Sequence, residues 1–473
     1  LLELSGRYDG SFIFPRNKRW GFFPSVSAGW RVSSEQFFAN SVLSNYISNL
    51  KFRVSYGEMG NDDNYSSNKV LGIGDWDYMY GYNMNAGTGV IASDPFISSS
   101  GSTIGSVSQR GMPVTNLSWV KSSMLNIGVD LGFLNNRLTL EVDGFMRKRS
   151  GLTDRRGDVY IPYETGYSEM PLENLNTDKH IGIDGLIKWQ DNVGREFYYS
   201  VGFNATLARK KNGNVYGERF GNSWEQYRKS GQNRWSYVNW GYEVIGRFQT
   251  QEEIDAYPVI MNISNGSDRN KLVLPGDLIY KDQNGDGVIN DYDSRPIGYA
   301  EGGLPYMTYG LNLACSYKGF DIAIDFAGAA LQSFQRNWET KWPFQAGNTF
   351  NYMVEDRWHH EDPLDPSTPW VSGNYPALRP QSVNAWHVYC NNSTYWLTNA
   401  AYFRMKNLEI GYTIPQKITQ KIAMQKFRVF FNGTNLFSID NTSKFGLDPE
   451  NSDTNGLGYP MVRVLTFGAT ITF

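Results

Sequence analysis

From Leu50 onward, the even positions Leu50, Phe52, Val54 and Tyr56 are apolar, while Lys51, Arg53, Ser55 and Gly57 are not. The same two-residue rhythm recurs along the chain. Val129, Leu131 and Phe133 alternate with Asp130 and Gly132. Leu138, Leu140 and Val142 alternate with Thr139, Glu141 and Asp143, and Phe197, Tyr199, Val201 and Phe203 with Tyr198, Ser200, Gly202 and Asn204. It persists through Phe467, Ala469, Ile471 and Phe473. Period two is the side-chain repeat of a pleated strand, and many such segments with one apolar and one polar face are the pattern of a transmembrane β-barrel.

The pattern predicts strands over 1–9, 21–33, 49–58, 118–133, 136–149, 178–190, 195–210, 304–317, 319–332, 396–413, 426–438 and 460–473. Tyr317 and Phe320 flank the two-residue turn Lys318-Gly319 on the same apolar face, as hairpin partners should. Short or moderate connections (34–48, 134–135, 191–194, 318 and 414–425) alternate with others that include 59–117, 211–303 and 333–395. Outer-membrane barrels have this asymmetry, with short periplasmic turns and longer extracellular loops. The fold class expected is therefore all-β, an antiparallel transmembrane β-barrel. A soluble β-sandwich also alternates, but loops of that length without structure of their own count against it.

Composition agrees with a wall in lipid. Charged residues make up 19% of the 473, against roughly 25% in soluble globular chains, while aromatics reach 15% and Gly numbers 48. A mean hydropathy of -0.46 and the lack of any run of about 18 apolar residues exclude a membrane-spanning helix, yet a barrel shows only half its residues to lipid and escapes that test. Trp30, Tyr56, Trp189, Tyr412 and Phe473, near predicted strand ends, suit interfacial girdles. The net charge of -3, without a dense Lys/Arg cluster, argues against nucleic acid as a partner. Cys315 and Cys390 are too few for a disulfide framework, and Cys315 falls in phase with Leu311 and Leu313 on an apolar face.

Several motifs, in order along the chain, carry a family likeness. They are Arg7 with Asp9-Gly10, Phe23-Pro24-Ser25, Trp30 and Glu35-Gln36-Phe37-Phe38; then Gly246-Arg247-Phe248 with Glu252-Glu253-Ile254. Gly276-Asp277 leads into an acidic loop at 282–293 and Pro296-Ile297-Gly298. Tyr402-Phe403-Arg404-Met405-Lys406-Asn407, Gly411-Tyr412, Asn435-Leu436-Phe437, Asp448-Pro449-Glu450 and Tyr459-Pro460 follow. Together they resemble SusC/RagA-type TonB-dependent outer-membrane transporters over nearly the whole sequence. The resemblance implies a barrel of about 22 strands, of which this chain would supply about 12 as the C-terminal part, the plug domain lying elsewhere. It further implies location in the bacterial outer membrane, energy from TonB, and a SusD-like surface lipoprotein as partner. The cargo implied is oligomeric nutrient, glycan oligosaccharide ahead of peptide. An open sheet in hydrocarbon leaves unpaired edges, so the remaining strands and plug would close it. A passive porin or a secreted β-rich carbohydrate-binding protein are the rival readings.

The sharpest local motif is Asp282, Asn284, Asp286, Gly287, Val288, Asn290 and Asp293, matching positions 1, 3, 5, 6, 7, 9 and 12 of an EF-hand-type calcium loop. Asp282, Asn284, Asp286, Val288 through its carbonyl, Asn290 and Asp293 are the candidate ligands. Asp at position 12 in place of Glu has a shorter arm that suits bidentate ligation less well, and the affinity expected is the weak one of extracellular modules, about 10⁻⁴ to 10⁻³ M. An ion-free Asx/Gly turn is the alternative. Trp76, Trp224, Trp235, Trp240, Trp338, Trp342, Trp358, Trp370 and Trp386 fall in the three long connections, where they could stack on sugars or simply pack the loops. Catalysis finds no support: the His residues are His180, His359, His360 and His387, and no HExxH, GxSxG or CxxC pattern occurs. His359-His360-Glu361 reads as solvated polar residues without a third spaced ligand, and Asp321 and Asp325 as lumen-facing wall residues.

Overall fold

The structure is a computed structural model that describes residues 1–62, 78–84, 107–109, 111–167, 169–261, 272–300, 304–347, 349–379, 391–451 and 453–473. Twelve long strands carry the sheet: β1 (Leu2–Gly10), β2 (Trp20–Arg31), β3 (Ile47–Asn61), β4 (Val120–Phe133), β5 (Leu138–Arg155), β6 (Leu172–Val193), β7 (Phe197–Asn212), β8 (Met307–Tyr317), β9 (Phe320–Ala330), β10 (Tyr402–Thr413), β11 (Lys426–Thr434) and β12 (Val464–Thr472). Their order along the sheet is their order in the chain, and Ser438–Asp440 adds a short pairing to β10. Each of the twelve expected strands is present.

By contacts the chain falls into two compact units, residues 1–136, 141–183 and 208–236, and residues 137–140, 184–207 and 237–473. In the first, antiparallel register stacks Leu2, Ala28, Val54 and Ile127 in one row across β1 to β4, and Leu4, Val26, Tyr56 and Leu125 in the next. The reverse face carries Glu3, Ser27, Ser55 and Asn126. On that face Arg53 donates to Asp130 and Asp143, each at 2.8 Å. In the second unit, Val201, Leu313, Ile324 and Leu408 form an apolar row, as do Tyr199, Cys315, Ile322, Ile410, Phe431 and Phe467. Opposite them, Arg428 donates to Asp321 at 3.1 Å and Glu409 at 2.6 Å, and Asn312 to Asp325 at 2.7 Å.

These faces show which solvent the wall requires. Phe52, Ile127, Ile410 and Phe467 lie exposed in continuous rows while the charged face is internally paired. A large contiguous apolar surface is what a soluble protein avoids and a lipid-facing wall needs. No helix among the described residues is long and apolar enough to cross a membrane.

Strand ends depart from expectation where alternation stops being informative. β5 and β6 run to Arg155 and start at Leu172, well beyond the expected 136–149 and 178–190, and β6 spans 22 residues where roughly 9–11 cross a bilayer. In these extensions the apolar residues Leu152, Leu172 and Leu175 keep no two-residue rhythm, so the period-two signal vanishes. Ionic pairing replaces it: buried Asp178 takes Arg149 and Lys210, drawing β5, β6 and β7 together. β11 stops at Thr434, before Asn435 at φ +51, and β9 stops before Leu331 at φ +56. The Lys318-Gly319 turn is as expected, with φ +47 and +89, the positive pair that matches strand twist in a two-residue hairpin.

Connections 32–46, 134–137, 194–196, 318–319 and 414–425 alternate with 11–19, 62–119, 156–171, 213–306, 331–401 and 435–463. Described parts of several long ones pack into small cores. Ile13, Phe14, Leu117 and Trp119 pack against Phe23 in the first unit. In the second, Phe248, Ile254, Leu278, Tyr280 and Ile289 form one cluster, and Phe334, Ala400, Phe445 and Leu447 another. These described parts are therefore built elements rather than slack chain.

Candidate calcium loop and loop pocket

The 282–293 loop joins the short strands Leu278–Tyr280 and Arg295–Ala300. Ile289, 1% exposed, anchors it in the Phe248 and Tyr280 cluster, and Ile260 pairs with it through backbone bonds to Gly287 and Ile289. Asp282 accepts from the amides of Gly285 (2.6 Å) and Gly287 (2.9 Å), and Asp286 from the Val288 amide (2.9 Å) and Asn284 Nδ2 (3.0 Å). Those donors, Asn284 first, hold the Asp286 carboxyl below its usual range. Gly285 and Gly287, at φ +76 and +79, supply left-handed turns that a side chain resists.

Asp293 is fully buried, with one oxygen accepting from the Gln283 amide and the other from the Asn290 amide, both at 2.8 Å. It clasps the loop ends together, while Asn290 caps the turn Asp291–Asp293. Among the described residues no three His, Cys, Asp or Glu side chains gather as a metal-ligand group. A cation here would therefore draw on Asn284, Asn290 and the Val288 carbonyl as well as on Asp282 and Asp286. That all-oxygen set has the chemistry of a hard dication site.

The remaining candidates separate by environment. Trp358 is buried, while Trp338 and Trp235 are exposed. Arg209 lies 4.6 Å over the Trp235 ring, Trp338 packs 5.1 Å from Trp342, and Trp370 packs 4.1 Å from His360. Trp76, Trp386, His387 and Cys390 lie outside the described residues. His359 and His360 each set Nδ1 2.6 Å from a backbone carbonyl, of His360 and Thr368, which ties them into the short hairpin of 359–360 with 370–371. Asp321 and Asp325 are occupied by Arg428 and Asn312, as wall residues.

Two assemblies carry no spacing signal. Arg404 meets Asp448 at 2.9 Å and Glu450 at 3.4 Å, and Lys406 meets Glu450 at 2.5 Å, so two motifs distant in sequence form one buried ionic network. The second is a pocket of about 450 Å³ lined by residues that include Arg247, Arg336, Tyr352, Tyr375 and Tyr395. Burial pushes the Tyr395 phenol up to about 12 and raises that of Tyr352, so both rings stay neutral and hydrogen-bonded. Their hydroxyls donate to the carbonyls of Asn374 and Thr340.

No family model matches the chain. It is 27% identical to TonB-dependent receptor P26 of Formosa agariphila, over the whole of this chain and 44% of that protein. Its identity to TonB-dependent receptor SusC of Bacteroides thetaiotaomicron is 25%, over the whole chain and 42% of that relative. Among solved structures, the RagAB peptide importer in its open-open state superposes with TM-score 0.68 at 21% identity, covering 100% of this chain and 45% of that one. Another structure of the RagAB peptide transporter gives 0.66 at 20% identity, with the same coverage. The chain spans less than half the length of the curated relatives it matches. Over its whole length the chain is thus similar to TonB-dependent receptors of the SusC kind, and its sheet has the fold of an outer-membrane β-barrel wall.

Proposed function

Because the chain is similar throughout to SusC/RagA-type TonB-dependent receptors, we propose that it forms wall and outer loops of an active importer of oligomeric nutrient, oligosaccharide or peptide. The observation that carries this reading is the two-faced sheet, apolar rows on one side and paired ions on the other, in the RagAB fold. The long connections face outward, where a SusD-like surface lipoprotein closes over them, and strands outside this chain pair with β1 and β12. A plug driven by TonB gates a polar lumen, and the wall does no covalent chemistry. Uptake tests it: deleting the gene abolishes growth on one oligomeric nutrient, and unaltered growth on every candidate glycan and peptide contradicts it.

The 282–293 loop binds calcium weakly in this reading and stiffens an outer connection. Support comes from the all-oxygen donors and the paired glycine turns. Asp282→Ala with Asp286→Ala should lower the calcium content of the purified protein, and unchanged content removes the site.

A further inference from the structure

The pocket around Arg336 holds charge that its own surroundings leave unbalanced. Arg336 is 4% exposed, with its guanidinium carbon 4.2 Å from the Phe445 ring and 4.9 Å from that of Trp396. It donates to the Tyr395 carbonyl at 3.1 Å and the Tyr375 hydroxyl at 3.4 Å, while its buried Nε–H meets no acceptor among the described residues. Arg247 donates to the carbonyls of Gly373 and Asn374 and lies 4.8 Å over Tyr395. Lys444 sits 4.9 Å over Phe445 on the exposed rim. Among the described residues none of these three cations has a carboxylate partner.

The acids lining the pocket do not fill that role. Asp356, at the rim, is taken up by the amide (3.0 Å) and side chain (2.5 Å) of Asn374, and Glu355 is exposed. A desolvated guanidinium without an anion is costly, and ring faces repay only part of that cost. A carboxylate, by contrast, accepts two of its N–H groups at once. Tyr352 and Tyr375, 5.2 Å apart, offer ring faces beside the charge, and about 450 Å³ falls in the range of small-ligand sites.

We propose that this pocket is a subsite for the carboxylate of an oligomeric ligand, the acid group resting against Arg336 with Arg247 and Lys444 around it. The carboxylate comes from a uronic acid unit of a glycan or from the C-terminus of a peptide. The assignment rests on the import reading only in taking the ligand to be an oligomer.

Calorimetry on the detergent-purified full-length receptor tests it with four probes: a galacturonic acid trimer, a galactose trimer, and one tripeptide with a free or an amidated C-terminus. At least one acidic probe should bind about tenfold tighter than its neutral counterpart, a difference near 1.4 kcal/mol, and added salt should erode the difference. Preference for the galacturonate assigns a glycan, preference for the free tripeptide a peptide. Lys444→Gln, exposed and therefore tolerated by the fold, should remove several-fold of that preference, as should Arg247→Gln. Equal binding within each pair, no binding of any probe, or a preference unchanged in both variants overturns the subsite. Binding needs no TonB, so growth unaltered by gene deletion with the acidic preference intact counts against import and not against the pocket.

Discussion

Replacing Arg404 with Met would remove the centre of the ionic network that joins β10 to the 435–463 connection. Arg404 is buried and faces Asp448 at 2.9 Å and Glu450 at 3.4 Å. Removing one partner of a buried ion pair costs roughly 3–5 kcal/mol, because the charge left behind has been desolvated for nothing. Here the low end applies. Asp448 keeps the amides of Glu450 (3.0 Å) and Met461 (3.2 Å), and Glu450 keeps Lys406 at 2.5 Å. A loss of about 3 kcal/mol raises local opening roughly a hundredfold. Amide hydrogen exchange in detergent should show that acceleration over 435–463, with the rest of the sheet little changed. Adding Asp448→Asn and Glu450→Gln should recover most of the loss, since Lys406 is one-third exposed and tolerates isolation. Unchanged exchange in the single variant, or a triple variant as labile as the single, refutes the reasoning.

Two further perturbations follow. Gly276 has φ +90, and a Cβ there would stand 2.2 Å from Cγ of buried Trp358, so Gly276→Ala should cost about 2–4 kcal/mol in thermal unfolding. Gly285→Ala, at φ +76 in open space, should cost only about 1 kcal/mol, and equal costs would show that Trp358 is not a rigid neighbour. The Tyr395 phenol, raised by burial from 10.0 to about 12, favours the neutral form in the fold, so its contribution is intact below pH 10 and is lost as pH rises through 12. The difference between wild-type and Tyr395→Phe absorbance titrations should appear near pH 12, and a transition near pH 10 would mean that the ring is not buried.

Strand number and sheet order were legible because alternation marks each crossing with the same parity, as in Phe52, Val54 and Tyr56 against Arg53 and Ser55. Strand length was not, since the stretches beyond Arg149 and before Asp178 carry no two-residue rhythm and are flanked by charge pairs that no periodicity shows. Arg404 and Glu450 meet only once the 435–463 connection is folded, and the sequence displays them only as separate motifs. The Arg336 pocket was invisible for a related reason: its walls come from positions 247, 336, 352, 375, 395 and 444, and only the tertiary packing of long connections unites them. The 282–293 loop stood out because its oxygen side chains and glycines alternate within one short turn, though the spacing did not reveal that Asp293 clasps both ends.

The wall itself is tested most directly by labels on adjacent residues, with Cys315 and Cys390 first replaced by Ser. Single cysteines at Val54 and Ser55, and at Ile324 and Asp325, carry a probe in the full-length receptor reconstituted in lipid. Labels at Val54 and Ile324 should respond to a quencher dissolved in the acyl chains, and those at Ser55 and Asp325 to one dissolved in water. Neighbours that respond alike to both quenchers would contradict a lipid-facing sheet.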